Sequence, residues 1–289
     1  MIKKILKIFR LPEQTIAIVP FLFGALDSHF YNLQTLLILG IGLILLSVSF
    51  FVINEYVDSF DTDRSNIRKE NTFNFLANRK LIFGLFTILT IAGSAIFIYY
   101  KLYLPLLLIL FFGNFYSVPP LRFKSRFPWD MIAPMIAWGV PYSLAYSLQG
   151  LPYASMLNVG AISFALFGIP MQGIHYLADG EADKKAGVSN FCTVMGYRNF
   201  LRLIDKIAIG ALLGFVYLVY RNEQWWYYPV ILAGIYELLI IGYARAAIYF
   251  PNFSKLHSIA NRSYAKGIKV FLLIVIFQIW VILKISGKI

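Results

Sequence analysis

The chain has 289 residues, of which 59% are hydrophobic, 17% aromatic and only 14% charged. Soluble domains are about 45–50% apolar and about 25% charged, and a folded chain of this size hides only about 75% of its surface. The composition therefore excludes a soluble globular enzyme and a disordered chain, and the single cysteine, Cys192, excludes a disulfide scaffold. What remains is an integral membrane protein with several spans.

Candidate spans are stretches of about 20 mostly apolar residues. Because every backbone N–H and C=O in lipid must be paired within its own segment, such stretches predict helices. The fourth stretch is short and is separated from the third near Lys101. We therefore predict an all-α membrane protein, with one polytopic domain over residues 1–289 and nine spans at 14–31, 34–54, 81–100, 102–116, 130–149, 153–178, 203–220, 226–249 and 267–284.

The basic residues divide unevenly between the two faces that nine spans define. With the N-terminus inside, 21 of the 26 Lys and Arg residues fall in inside segments. This asymmetry predicts that the juxtamembrane segment 1–13 and the long polar segments 55–80 and 179–202 are cytoplasmic. The net charge of +12 is then explained by orientation and by contact with anionic lipid headgroups, and nucleic-acid binding is not expected.

Half of the fourteen acidic residues lie in two short stretches, each at the point where an apolar span runs into an inside segment. On a helix, Asn54, Asp58 and Asp61 share one face, and so do Asp179 and Asp183. Crowded carboxylates repel one another, and oxygen ligands on two opposed helices suit Mg²⁺, which completes its shell with water and substrate phosphates. The pattern predicts a diphosphate clamp with nearby basic partners, namely Arg64, Arg68, Lys69, Lys184 and Lys185.

A simpler interpretation is that charges at helix ends only mark the membrane surface. That interpretation suits one cluster better than two clusters on one face. The clusters end the second and sixth spans, and 125 residues separate Asp58 from Asp183. This spacing favours two four-helix pseudo-repeats plus one helix, with the site between the halves.

Three motifs resemble those of the UbiA superfamily of intramembrane prenyltransferases. The family's N-D-x-x-D-x-x-x-D, D-x-x-x-D and Y-S-x-P-P-x-R-x-K patterns are matched in the right order over nearly the whole chain. The resemblance implies a nine-helix bundle around a central cavity that opens to the cytoplasmic side. The matching residues are Asn54 and Asp58, then Tyr116 to Lys124, then Asp179, Asp183 and the run Lys185-Ala186-Gly187.

The chain departs from the family pattern at three places and is more similar to one branch of the family at others. Glu55 replaces an Asp, and Thr62 occupies the third acidic position of the first motif. Helix spacing favours the neighbouring Asp61 as that ligand, whereas a one-residue insertion favours Asp63; Asp61 is preferred. Tyr176 stands where many relatives carry another Asp, and the run 66–70 together with RFKSRFPWD is more similar to the carotenoid-extending, lycopene elongase-like branch.

The resemblance implies a function. It implies Mg²⁺-dependent transfer of a polyprenyl group from an allylic polyprenyl diphosphate to a lipophilic acceptor, such as a carotenoid or quinone precursor, with release of diphosphate. The implied metal ligands are Asn54, Asp58, Asp61, Asp179 and Asp183. The implied catalytic residues are Asp58, Asp183, Tyr116 and Lys124, and the implied diphosphate contacts are Arg68, Arg122, Lys124, Lys184 and Asn54.

Two alternatives stay open at this point. One is phosphoribosyl transfer to a polyprenyl phosphate, which the same superfamily includes. The other is a transporter of divalent cations or metabolites that uses the repeat and the acidic helix ends as an ion path. An ion path should reach both faces, and the predicted outside segments carry few acidic residues, which counts against transport.

Overall fold

The computed structural model describes residues 14–61, 79–150, 157–185, 187–222, 224–249 and 253–288. No strand occurs within these ranges, where Arg126 and Ser189 form an isolated bridge, so the all-α prediction is confirmed. The helices are α1 (Thr15–Asp27), α2 (Leu33–Asp61), α3 (Arg79–Tyr99), α4 (Tyr103–Phe115), α5 (Trp129–Leu148), α6 (Val159–Lys185), α7 (Phe191–Met195), α8 (Tyr197–Asn222), α9 (Tyr228–Tyr249) and α10 (Phe253–Ile285).

Every predicted span overlaps a described helix. Within the described ranges, four helices are long and apolar enough to cross a membrane by themselves, over Leu33–Asn54, Lys80–Tyr99, Tyr197–Arg221 and Trp225–Gly242. Three more apolar helices are shorter, at Ala17–Asp27, Tyr103–Phe115 and Val159–Ile174. A multi-pass membrane protein follows from these helices, while the count of nine spans stays a prediction.

The predicted break near Lys101 is a helix terminus. Lys101 has a φ of 56°, in the left-handed region. Its N–H donates to the Ile98 carbonyl at 3.0 Å, and the Leu102 N–H donates to the Phe97 carbonyl at 2.9 Å. This pair of bonds is a Schellman motif, which ends a helix by satisfying its last carbonyls. The third and fourth spans are therefore separate helices.

The two helices that carry the acidic motifs continue beyond the predicted spans. α2 runs to Asp61 and α6 runs to Lys185, so the first residues of the predicted loops 55–80 and 179–202 are helical. The second of these segments also contains α7 and the start of α8. As a result, Asn54, Asp58 and Asp61 do have helical spacing, and so do Asp179 and Asp183.

Close helix packing forms the core of the bundle. α1 packs against α5, α6 packs against α5 and α8, and α2 packs against α3. Gly24 of α1 directly faces the backbone carbonyl of Tyr142, where a side chain would collide. Small residues allow such approaches between membrane helices. Buried aromatic rings fill the space beside this contact: Phe21, Phe23, Phe164, Phe167, Phe215 and Tyr227.

A buried carboxylate joins three helical segments at the end of the bundle remote from the acidic motifs. Asp27, at the last residue of α1, accepts hydrogen bonds from the hydroxyls of Tyr142 and Tyr227. It also accepts one from the indole N–H of Trp226 at 2.9 Å. Three donors satisfy the ionised carboxylate, which would otherwise be costly to bury. We call these four residues the Asp27 cluster.

Candidate active site

The acidic helix ends contain five predicted metal ligands. The side chains of Asn54 and Asp183 are described, and both are partly buried. Asp58, Asp61 and Asp179 have described helical backbone, but their side chains lie outside the description, and Arg68 lies outside the described residues altogether. Among the described side chains, no three His, Cys, Asp or Glu residues converge.

Asn190 holds the Asp183 carboxylate. Its Nδ2 donates to Asp183 Oδ2 at 2.8 Å, and the Val188 N–H donates to the Asp183 carbonyl at 2.9 Å. Burial raises the pKa of the Asp183 carboxyl, while the Asn190 hydrogen bond and the charge of Lys124 oppose that rise. A nearby divalent cation would favour the charged form further.

Asn190 is itself fixed from two directions. It is buried and caps α7 in a reciprocal capping box with Thr193, with N–H to oxygen distances of 2.9 and 3.0 Å. The next residue, Phe191, donates its N–H to Asp130 Oδ2 at 2.8 Å. Since Asp130 is fully buried at the start of α5, the amide that orients Asp183 is anchored to a neighbouring helix.

The segment from Tyr116 to Lys124, which we call the YSPP loop, follows α4 and contacts both acidic helix ends. Ser117 Oγ donates to Asn54 Oδ1 on α2. At the other end of the loop, the charge of Lys124 acts on Asp183 of α6. The Lys124 N–H donates to the Tyr116 carbonyl at 2.9 Å, which closes the loop on itself. One loop thus brings together the two motifs that are 125 residues apart in sequence.

Tyr116 contacts α6 through a second tyrosine. Its hydroxyl oxygen lies 3.1 Å from that of Tyr176, and the Tyr176 hydroxyl donates to the Asp130 carbonyl at 3.1 Å. Because a tyrosine has one hydroxyl proton, Tyr116 is the donor in this pair. Tyr116 therefore supports α6 here, and Asp183 takes its side-chain hydrogen bond from Asn190. Donation from Tyr116 to a diphosphate would require its bond to Tyr176 to be exchanged.

The remaining predicted diphosphate contacts occupy different environments. Arg122 is partly buried in the YSPP loop with a φ of 42°, and Lys184 is exposed on the last turn of α6. The Arg126 guanidinium braces the loop by donating to the Pro120 carbonyl at 2.7 Å. The structure thus brings Asn54, Lys124 and Asp183 to one loop and leaves Lys184 at the surface beside them.

Comparison with known proteins identifies the family of this chain. The sequence profile of the UbiA prenyltransferase family matches residues 16–253. The chain belongs to the UbiA prenyltransferase family. The matched range includes every motif described above.

Solved UbiA homologues have the same fold. A UbiA homologue from Archaeoglobus fulgidus bound to GPP and Mg²⁺ superposes with a TM-score of 0.64 at 18% identity, over 94% of this chain and 99% of that one. A structure described for digeranylgeranylglyceryl phosphate synthase gives 0.63 at 16% identity, over 96% and 98%. At these identities the likeness shows the UbiA fold.

Curated sequence relatives match a smaller part of the chain. Two lycopene elongase/hydratase sequences of Corynebacterium glutamicum are each 28% identical to this chain over 158 residues. The matched region is 54% of this chain, which spans about half the length of those curated relatives.

Two residues of this UbiA-family site were not predicted from the sequence. Asn190 and Asp130 lie outside the family motifs, yet they position Asp183 and α7. A sequence signal was available for Asn190, because Asn followed three residues later by Thr, at the start of a short apolar run, is a helix N-cap pattern. Asp130 follows a proline and a tryptophan in RFKSRFPWD, and nothing in that run indicates a buried carboxylate.

Proposed function

We propose that this chain transfers a polyprenyl group from an allylic polyprenyl diphosphate to a lipophilic acceptor within the membrane, with Mg²⁺ as cofactor and release of diphosphate. The observation that carries the proposal is the YSPP loop, which contacts Asn54 and lies beside Asp183. The Archaeoglobus fulgidus homologues, which are bound to GPP or DMAPP together with Mg²⁺, support the same donor class and cofactor.

The described donor atoms fit a hard cation. Asn54 Oδ1 accepts one hydrogen bond from Ser117, and an amide oxygen has a second lone pair for a metal. On Asp183, the Asn190 bond occupies Oδ2, and Oδ1 is the oxygen that would face the metal. In the proposal Asn54, Asp58 and Asp61 hold one Mg²⁺, and Asp179 and Asp183 hold the other. Bound Mg²⁺ would stabilise the negative charge that builds on the leaving diphosphate.

The basic residues of the loop, and two that lie outside it, then bind the diphosphate. Lys124, with Arg122, Lys184 and Arg68, binds the phosphate oxygens and fixes the allylic carbon against the acceptor. The C–O bond breaks with both electrons going to the diphosphate oxygen. A double bond of the acceptor supplies the electron pair for the new C–C bond, and the resulting cation loses a proton.

The acceptor class and the sidedness extend the proposal. The Corynebacterium relatives are named lycopene elongase/hydratase, which favours a carotenoid as the first acceptor to test. The excess of Lys and Arg in the segments next to the acidic motifs favours a cytoplasmic location for the N-terminus and the site.

The decisive experiment measures diphosphate release by the purified full chain in micelles or nanodiscs. Geranylgeranyl or farnesyl diphosphate is the donor, lycopene and quinone precursors are offered in turn, and Mg²⁺ is varied against EDTA. We expect Mg²⁺-dependent diphosphate release with formation of a prenylated product. Absence of turnover with every donor, together with Mg²⁺ flux into liposomes, would establish the transporter alternative instead. Consumption of phosphoribosyl diphosphate with a polyprenyl phosphate would establish the phosphoribosyltransferase.

A further inference from the structure

A cavity of about 280 Å³ lies between α8 and α9, and no residue of the YSPP loop lines it. Four of the seven residues that line it are cationic and one is acidic, so its lining has a formal charge of +3. It is lined by Arg198, Leu201, Arg202, Asp205, Lys206, Ile209 and Arg245. We call it the α8–α9 pocket.

The charges of this pocket are only partly balanced. Arg245 of α9 pairs with Asp205 of α8, which holds one guanidinium in the lining of the pocket. Arg202 and Lys206 are exposed, and no carboxylate within the described part of the chain pairs with either. A group with more than one anionic oxygen would therefore find several converging donors here.

The face of α8 that continues from the pocket is apolar and exposed. Helical spacing places Arg202, Lys206, Ile209 and Leu213 on one side of α8. Ile209 is 46% exposed and Leu213 is 62% exposed, and an exposed apolar strip on a membrane helix faces hydrocarbon. The same side continues towards the far end of α8 through Val216, Tyr217 and Tyr220, which are also exposed.

A cationic pocket followed by an apolar strip matches the two parts of an amphiphile. The pocket lies in the first turns of α8, next to the segment 179–202 that the charge distribution predicts to be cytoplasmic. Basic pockets between membrane helices on that side suit anionic lipid headgroups.

We propose that the α8–α9 pocket binds the phosphate headgroup of an anionic membrane phospholipid, whose acyl chain lies along the exposed apolar face of α8. Arg202, Lys206 and Arg245 contact the headgroup, and Ile209 and Leu213 contact the chain. This site is separate from the proposed prenyl-transfer site and does not depend on its chemistry.

The test compares lipid binding by the purified, delipidated full chain and by two double variants. Arg202→Gln/Lys206→Gln removes two pocket cations. Lys80→Gln/Lys269→Gln removes two exposed cations from α3 and α10, outside the pocket. Phosphatidylglycerol, phosphatidylcholine and inorganic phosphate are added separately, and retained lipid is measured by native mass spectrometry alongside the melting temperature.

We expect preferential retention of phosphatidylglycerol, with a rise in melting temperature that phosphatidylcholine and inorganic phosphate do not reproduce. Each basic residue near an anionic lipid contributes about a factor of five in binding, so the pocket variant should bind phosphatidylglycerol about 25-fold more weakly. The α3/α10 variant should bind it like the wild type, and all three proteins should melt alike without lipid.

Three results would overturn the proposal. Equal losses in both double variants would show general attraction to surface charge. An equal effect of inorganic phosphate would show a site for a soluble anion. Equal retention of the two phospholipids by the wild type would show no headgroup selectivity.

Discussion

The carboxylates at the two ends of the bundle are stabilised in different ways. At one end, Asp27 receives three hydrogen bonds from Tyr142, Tyr227 and Trp226, and no second carboxylate of the described residues joins this cluster. At the other end, several carboxylates share two helix ends, and the described side-chain hydrogen bond to Asp183 comes from Asn190. A solitary buried acid can be satisfied by protein donors, whereas a group of acids requires cations because additional carboxylates add acceptors and negative charge.

This difference separates a structural acid from one suited to chemistry. The Asp27 cluster joins α1, α5 and the short 3-10 helix Trp225–Tyr227 that precedes α9. Its tyrosines belong to the packed aromatic core, with the Phe23 and Tyr227 rings 4.7 Å apart. The YSPP loop and Asn190 instead hold Asp183, which is only partly buried, near the end of α6. The same substitution should therefore have different consequences at the two ends.

The largest expected effect is on turnover. Asp58→Asn and Asp183→Asn should each reduce prenyl transfer by about a thousandfold or more, because each removes a proposed Mg²⁺ ligand and its charge. The melting temperature should change little. Diphosphate release and thermal unfolding are measured on the same preparations. Near-normal turnover in either variant would show that the metal assignment is wrong.

The register of the first motif can be settled by comparing two neighbouring acids. Asp61→Ala should lower turnover by about a hundredfold, through loss of a metal ligand. Asp63→Ala should lower it by less than about threefold, since helical spacing from Asn54 favours Asp61. Turnover of the two variants is measured at saturating donor and varied Mg²⁺. A larger loss of turnover in Asp63→Ala than in Asp61→Ala would assign the third ligand to Asp63.

At the opposite end, Asp27→Ala should mainly affect stability. It leaves the buried hydroxyls of Tyr142 and Tyr227 and the Trp226 indole without their acceptor, which should lower the free energy of unfolding by at least about 2 kcal/mol. Unfolding in a denaturing detergent series measures the change. Turnover per folded molecule should be retained, and Tyr142→Phe, which removes one donor only, is the milder control. A stable but inactive Asp27→Ala protein would contradict a structural role for Asp27 that is distinct from the role of the acidic helix ends in turnover.

Asn190→Ala should weaken the site without removing a ligand. Partners that orient a metal ligand typically contribute about 10- to 100-fold in metal affinity or activity, so the Mg²⁺ concentration for half-maximal turnover should rise about tenfold. Asn190→Asp retains an α7 cap but places a second carboxylate at Asp183. Asn190→Asp should also raise the Mg²⁺ concentration for half-maximal turnover, but without the helix destabilisation expected for Asn190→Ala. Circular dichroism melting detects that destabilisation.

Among the residues that have a proposed role in the site, Tyr116 has the smallest predicted effect. Because its hydroxyl donates to Tyr176, Tyr116→Phe should remove one hydrogen bond and reduce turnover about two- to tenfold. Tyr176→Phe, which breaks the same link from the other side, should have an effect of similar size. A loss of several hundredfold confined to Tyr116→Phe would indicate that this hydroxyl contacts the reacting groups directly.

Much of this architecture is predictable from local sequence patterns. Hydropathy identified the long helices, and the i, i+4 spacing of Asp179 and Asp183 placed them on one helical turn. The partners Asn190 and Asp130 were missed because their contacts depend on how α5, α6 and α7 pack. The pairing of Arg245 with Asp205 was missed for the same reason, since it joins two helices and follows no local pattern.

The YSPP loop also has a consequence for how ligands bind. Ser117 contacts the first acidic helix end, Lys124 lies beside the second, and the Phe127 N–H donates to the Ser189 carbonyl at 2.7 Å. These contacts link the two acidic helix ends through one segment. Binding at one helix end should order this segment and lower the entropy lost when the other is filled, which is positive cooperativity between them. Donor binding should therefore depend on Mg²⁺ with a Hill coefficient above one.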